Sequence, residues 1–168
     1  MIFVTVGTHE QQFNRLVKCI DELKMNGTIE EDVVIQTGFS TYEPQKCEWQ
    51  KLYSYNEMIN YVNEARIVIT HGGPSSFIMP LQVGKVPIVV PRQKKYEEHV
   101  NDHQVKFVKH VAMNMGNIVP VYDIKELKKT ILCYEDIISG INGGLKSNNE
   151  KFNDDFEKIV SELMNTRI

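Results

Sequence analysis

Short apolar runs alternate with amphipathic stretches along most of the chain. Ile2–Val6 is the first run, and it stops at Gly7 as a buried parallel strand does. Phe13, Leu16, Val17, Ile20 and Leu23 then recur on one helical face, with polar residues between them toward solvent, and Asn26-Gly27 closes that helix. The pattern next predicts a strand at Val33–Gln36, a weaker one at Trp49–Tyr53, a short helix over Asn56–Asn63 and a β-branched strand at Ile67–Thr70. Past the loop His71–Ser76 come a helix over Phe77–Val83 closed by Gly84 and a strand, Val86–Val90, stopped by Pro91. Val100–Met113 has helical period, Ile118–Val121 reads as a last short strand and Ile124–Tyr134 as another amphipathic helix. Strands alternating with helices predict an α/β fold, a Rossmann-like parallel sheet covered on both faces.

The order breaks down late in the chain. Residues 139–149 carry three glycines and three asparagines with little to bury, and read as a flexible linker after a domain of residues 1–138. Residues 150–168 are expected to form an amphipathic helix whose stripe is Phe152, Phe156, Ile159, Val160 and Leu163. Such a stripe either packs back on its own domain or docks on another chain.

Composition narrows the function classes. A chain of 168 residues with 42% hydrophobic and 24% charged residues is ordinary for one globular domain. The net charge of -3 removes the attraction that nucleic-acid binders draw from phosphates, so no nucleic-acid partner is expected. No apolar run approaches the about 20 residues of a membrane span, and a cytoplasmic chain is expected. Cys19, Cys47 and Cys133 are odd in number and far apart, which suits neither a disulfide framework nor a zinc site.

In open parallel sheets ligands bind beyond the carboxyl ends of the strands. Two loops at that edge, Gly7-Thr8-His9-Glu10-Gln11 and His71-Gly72-Gly73-Pro74-Ser75-Ser76, place small residues and hydroxyls ahead of a helix. Free backbone N–H groups and a partial positive charge there suit a phosphate. Neither loop reads G-x-G-x-x-G, no G-x-x-x-x-G-K-[ST] occurs, and Phe13 stands where a zincin needs its second histidine. A third stretch, Arg92 to Gln104, gathers Arg92, Lys94, Lys95, Glu98, His99, Asp102, His103 and Gln104 after the fifth strand. Carboxylate, carboxamide and imidazole groups at a helix start suit the hydroxyl pattern of a sugar. Arg92 with the lysines suits a second anion. His99 and His103, four apart, lack a third outlying ligand, so no metal site is expected.

Val4-Thr5-Val6-Gly7-Thr8, Ile69-Thr70-His71-Gly72-Gly73-Pro74, Gly84 through Arg92, and Glu98-His99-Val100-Asn101-Asp102-His103-Gln104 together resemble the glycosyltransferase family 28 C-terminal domain. More closely they resemble stand-alone bacterial capsule and exopolysaccharide glycosyltransferase subunits. These are similar to the catalytic subunit of the eukaryotic two-part UDP-N-acetylglucosamine transferase of dolichol-linked sugar synthesis. The likeness covers about residues 1–135.

The resemblance implies the donor-binding half of a GT-B enzyme. A UDP-sugar is the substrate and no resident cofactor is implied, since no D-x-D pair offers to hold a metal. The loops at Gly7-Thr8 and His71–Ser76 would face the nucleotide and diphosphate, and Asp102-His103-Gln104 the donor sugar. Relatives carry a ribose-binding glutamate where this chain has Met79, so ribose recognition would either use other groups, Glu98 being one candidate, or be weaker. Inverting transfer of a hexose, galactose or N-acetylglucosamine, needs a base for the acceptor hydroxyl and charge stabilisation on the diphosphate. His9 is the in-chain candidate for the base, a partner residue the alternative, and His71 with the helix N-termini would meet the charge. The partner implied is a membrane-anchored acceptor-binding subunit, reached through the C-terminal helix. It would hold an undecaprenyl-diphosphate-linked sugar at the inner membrane face, to which this chain would be peripheral. A non-catalytic nucleotide-sugar-binding subunit that enhances a partner enzyme, or an unrelated phosphate-ester enzyme, are the competing readings.

Overall fold

The computed structural model describes residues 1–141. The expected helix over residues 150–168 and the expected linker from residue 142 onward lie outside the described residues. Six parallel strands form one sheet, β1 (Ile2–Thr5), β2 (Val33–Gln36), β3 (Glu48–Gln50), β4 (Ile67–His71), β5 (Ile88–Val90) and β6 (Val119–Pro120), in the spatial order β3-β2-β1-β4-β5-β6. The chain winds outward one way from β1 and then the other way from β4, so the crevice between their carboxyl ends is the point where the strand order reverses.

Successive strand residues point to opposite faces, and each face carries its own core. Ile2 and Val4 of β1 pack with Leu16, Val17 and Ile20 of α1 (Asn14–Met25), together with Leu127 and Ile131 of α5 (Leu127–Leu132) and Tyr134 of α6 (Tyr134–Ser139). Phe3 points the other way, into a cluster with Tyr53 and Val62 of α2 (Tyr55–Glu64). On that side Phe77 and Leu81 of α3 (Pro74–Gln82) pack with Val108 and Val111 of α4 (His103–Met115). Ser54 and Glu57 form a reciprocal capping box at the start of α2, which sets its first turn. Among the described residues no helix is long and apolar enough to cross a membrane.

Several elements depart from the hydrophobic pattern. β3 pairs only over Glu48–Gln50, at the sheet edge. The helix expected from Val100 begins at His103, because residues 94–96 form a 3-10 turn and Glu97 takes a left-handed φ of 56°. The segment after β6 breaks at Cys133 and continues as α6 to Ser139, one residue past the expected domain boundary. Solvent-facing polarity on α1 fails at Asp21, which is fully buried. Its carboxylate accepts the Tyr42 hydroxyl at 2.8 Å and the N–H groups of Gln45, Lys46 and Cys47 at 2.9, 2.9 and 3.2 Å, and so fixes the loop that enters β3.

Burial alone would raise the Asp21 pKa, but the Gln45 and Lys46 N–H groups and the Tyr42 hydroxyl outweigh it and hold it below the usual carboxylate value. Its contribution to stability is therefore complete above the unfolded-state pKa of about 3.9 and is lost as pH falls through the lower folded-state value. Asp21→Asn should destabilise the chain by about 1–3 kcal/mol at pH 7, from hydrogen bonds weakened or left unmade. In urea denaturation at a series of pH values, the variant should also lack this part of the acid limb.

Candidate functional site

The crevice between β1 and β4 is built around one imidazole. His71, the last residue of β4, is 7% exposed and lies between the backbones of Gly7 and Gly73. A Cβ at Gly7 would overlap His71 Cε1, and one at Gly73 would overlap Nε2. Gly7 also needs its left-handed φ of 73°, and its N–H is held by Thr5 Oγ1 at 3.2 Å. Burial first, then the charge of Arg92 and the His9 ring, push the His71 pKa down to about 3. His71 is therefore a neutral ring that offers a hydrogen bond and carries no positive charge for a developing anion. Its Nδ1 is buried without a partner, as are few polar atoms in a folded protein.

α3 starts beside this ring. Gly73 is the N-cap, Pro74 brings no N–H, and no side chain caps the helix. Thr8, Pro74 and Ser75 are exposed and Ser76 is half-buried, so the first turn is open to an outside acceptor. Gly72 lies against Gln104, whose Cβ would be 3.1 Å from a Cβ added there, and Gln104 Oε1 accepts the Arg92 N–H at 3.1 Å. Met79 packs into the cluster around Phe3 and Tyr53.

Arg92 and Glu98 are both fully buried, which changes the reading of each as a ligand contact. The Arg92 guanidinium donates to the carbonyls of Val6, Gln11, Gln12 and Glu98 at 2.9, 2.8, 2.9 and 3.2 Å. It also lies 4.8 Å over the Phe13 ring. Burial lowers its pKa to about 10, against the opposing pull of Glu98, so it stays charged near neutral pH. Glu98 accepts Arg15 Nε and Nη2 at 2.8 and 2.9 Å and the Gln93 N–H at 2.9 Å. Turned inward in this way, Arg92 and Glu98 bind the β1 loop to the β5 loop and leave anion and ribose contacts to other groups. Hydrophobic patterning missed Arg15, because its role is visible only once Glu98 is seen to be buried.

Three more imidazoles line the β5 side. The His9 and His99 ring centroids are 4.7 Å apart, and those of His99 and His103 are 4.3 Å apart. His9 Nδ1 accepts the Gln11 N–H at 3.2 Å, and His99 Nδ1 accepts the Asn101 N–H at 3.4 Å. A backbone N–H can only donate, so the proton of each neutral ring sits on Nε2. Held in this way, the neutral His9 ring presents Nε2 as a hydrogen-bond donor. The same bonds suit His9 and His99 poorly to a metal, whose histidine ligands donate through the second ring nitrogen. Burial first, then His103, His9 and Arg92, hold the His99 pKa below the ordinary imidazole value. Asp102 is exposed, and its Oδ1 accepts the Lys94 N–H at 2.8 Å to tie down the 3-10 turn.

The cage around His71 makes a clean comparison. Gly84 has a φ of 78° like Gly7, but nothing lies within 4 Å of a Cβ there. Gly84→Ala should cost only the backbone penalty of about 1–2 kcal/mol. Gly7→Ala should cost about 1–3 kcal/mol more, from forcing the buried ring aside. Urea denaturation of the two variants measures the difference.

Known proteins share the family and the fold. A family model, the glycosyltransferase family 28 C-terminal domain, matches residues 1–158. The UDP-N-acetylglucosamine transferase subunit ALG13 of Homo sapiens is 29% identical over 119 residues, covering 66% of this chain and 10% of that protein. Among solved structures, the glycosyltransferase SnogD from Streptomyces nogalater is 15% identical with a TM-score of 0.51, over 83% of this chain and 39% of its own. The glycotransferase of kitacinnamycin is 16% identical with a TM-score of 0.52, over 82% of this chain and 37% of its own. The two solved structures share the fold, and this chain spans about a tenth of the human relative and less than two fifths of either solved chain. Since the family model covers all but the last ten residues, the chain belongs to the glycosyltransferase family 28 C-terminal domain family.

Proposed function

We propose that the chain is the donor-binding half of a UDP-sugar-dependent glycosyltransferase. The observation that carries this reading is the uncapped start of α3 beside the His71 ring, at the switch point of the sheet. An N–H-rich helix start next to a neutral imidazole suits a diphosphate, both as bound donor and as leaving group. Charge developing on the departing UDP is met there by hydrogen-bond donors, and no resident cofactor enters the reading. On the other side of Gln104, the His9, His99 and His103 rings with Asp102 offer donors and acceptors to a sugar.

The finer reading is transfer of a hexose, with inversion, to a sugar on undecaprenyl diphosphate in capsule or exopolysaccharide synthesis. N-acetylglucosamine is the sugar in the human relative's name, and the likeness to capsule subunits favours galactose. The human relative is a subunit, which supports a two-part enzyme here as well. The second part in this reading is a membrane-anchored chain that holds the acceptor and brings this one to the inner membrane face.

Calorimetric titration with UDP, ADP, GDP and inorganic phosphate tests the core of this reading. UDP should bind at least tenfold more tightly than the other three. Equal affinities, or tighter binding of phosphate alone, would favour a phosphate-ester enzyme. Adding UDP-galactose and UDP-N-acetylglucosamine to membranes that carry the acceptor, with and without the second subunit, then identifies the sugar transferred.

A further inference from the structure

We propose that His103, oriented by Asn101, is the group that takes the proton from the attacking hydroxyl. The inference rests on the glycosyltransferase reading and adds the identity of the base. It starts from the Asn101 carboxamide. The His103 backbone N–H donates to Asn101 Oδ1 at 3.0 Å, so the atom on that side of the amide is the oxygen. The same Oδ1 lies 2.6 Å from His103 Nδ1. An amide oxygen only accepts, so Nδ1 must carry the proton and Nε2 is left with a lone pair.

This is the reverse of the two neighbouring rings. His9 and His99 receive backbone N–H groups on Nδ1 and present Nε2–H outward. In the row of three imidazoles only His103 presents a basic nitrogen. It is also the exposed member of the row, while His99 is 9% exposed. An acceptor hydroxyl arriving from outside the chain can reach His103 Nε2 without entering the core. The diphosphate cradle stands on the neighbouring element, α3, which packs against α4 through Phe77, Leu81, Val108 and Val111.

The step balances without a further reactant. The hydroxyl proton passes to His103 Nε2 while the hydroxyl oxygen bonds to the anomeric carbon. The bond from that carbon to the β-phosphate oxygen breaks, and its electron pair leaves with UDP. His103 becomes an imidazolium whose Nδ1–H bond to Asn101 is now charge-assisted and stronger. The proton then leaves to solvent from the exposed ring. His99 and His9 are the titratable groups beside His103 in this row, and Asp102 and Lys106 flank it along its own element. Asn101 acts through the His103 ring and backbone N–H and the His99 ring, and is a positioning residue.

Two measurements test the proposal. In the full chain with ¹⁵N-labelled histidine, two-bond ¹⁵N–¹H spectra at neutral pH should show His103 as the Nδ1–H tautomer, and Asn101→Ala should shift it toward Nε2–H. An Nε2–H tautomer at His103 in the parent chain would overturn the proposal. In the assembled enzyme, His103→Gln should lower kcat at least 100-fold. Affinity for UDP should stay within about threefold, and KM for the UDP-sugar should change far less than kcat, since glutamine keeps a hydrogen-bonding group toward the sugar. Asn101→Asp should move the acid limb of the kcat profile upward by about one pH unit, as a carboxylate beside His103 favours its charged form. Near-normal turnover in His103→Gln, a loss confined to KM, or an unmoved acid limb in Asn101→Asp would each overturn it. A parent chain that fails to bind UDP would instead defeat the glycosyltransferase reading itself.

Discussion

One buried guanidinium holds the crevice together. Arg92 leaves the end of β5 and is bonded to carbonyls of Val6, Gln11 and Gln12 on the far side of β4. Those bonds hold the β1 loop, with Gly7 and His9, against the β5 loop, with His99 and His103, and the Gln12 and Arg15 side chains add bonds to the Tyr96 and Pro91 carbonyls. Burying a charge is unfavourable by several kcal/mol unless partners replace its water. Four carbonyls, the Phe13 ring and the Glu98 carboxylate nearby supply that replacement. Arg15 then neutralises Glu98, so the network reaches from α1 through β5 to the start of α4.

The same charge shapes the chemistry around it. Arg92 is among the causes that lower the pKa of both His71 and His99, after burial itself, and His71 stays uncharged. Neutral rings have a definite tautomer, and the tautomer decides which nitrogen gives a proton and which takes one. The crevice therefore meets a ligand with directed hydrogen bonds, which suits a ligand whose charge shifts from anomeric carbon to diphosphate during reaction. A permanently cationic cluster would bind the ground-state diphosphate as tightly as the leaving group and gain less in rate.

Much of the fold was legible in the sequence because its strands are short, apolar and bounded by glycine or proline. β2 falls on Val33–Gln36 as expected, and β1 and β4 differ by one residue at the carboxyl end. The carboxyl-edge loops were legible for the same reason, since Gly7 and His71–Ser76 follow the clearest strands. Polar burial was not legible. Asp21, Arg92 and Glu98 read as surface residues by type and are buried only because distant backbone groups satisfy them. The Asn101–His103 contact has a local signal, an asparagine two residues before a helix-start histidine. Its meaning depends on which amide atom faces the ring, and only the backbone N–H decides that.

The central claim is that the switch-point crevice, from Gly7 to the first turn of α3, receives the UDP diphosphate. Backbone amide shifts of the full chain, followed during titration with UDP, test it most directly. The largest changes should fall at Gly7, Thr8, Gly73, Ser75 and Ser76, with the His71 ring moving alongside them. Saturable binding whose changes fall elsewhere, for example between α3 and α4 at Ile78 and Phe107, would contradict it.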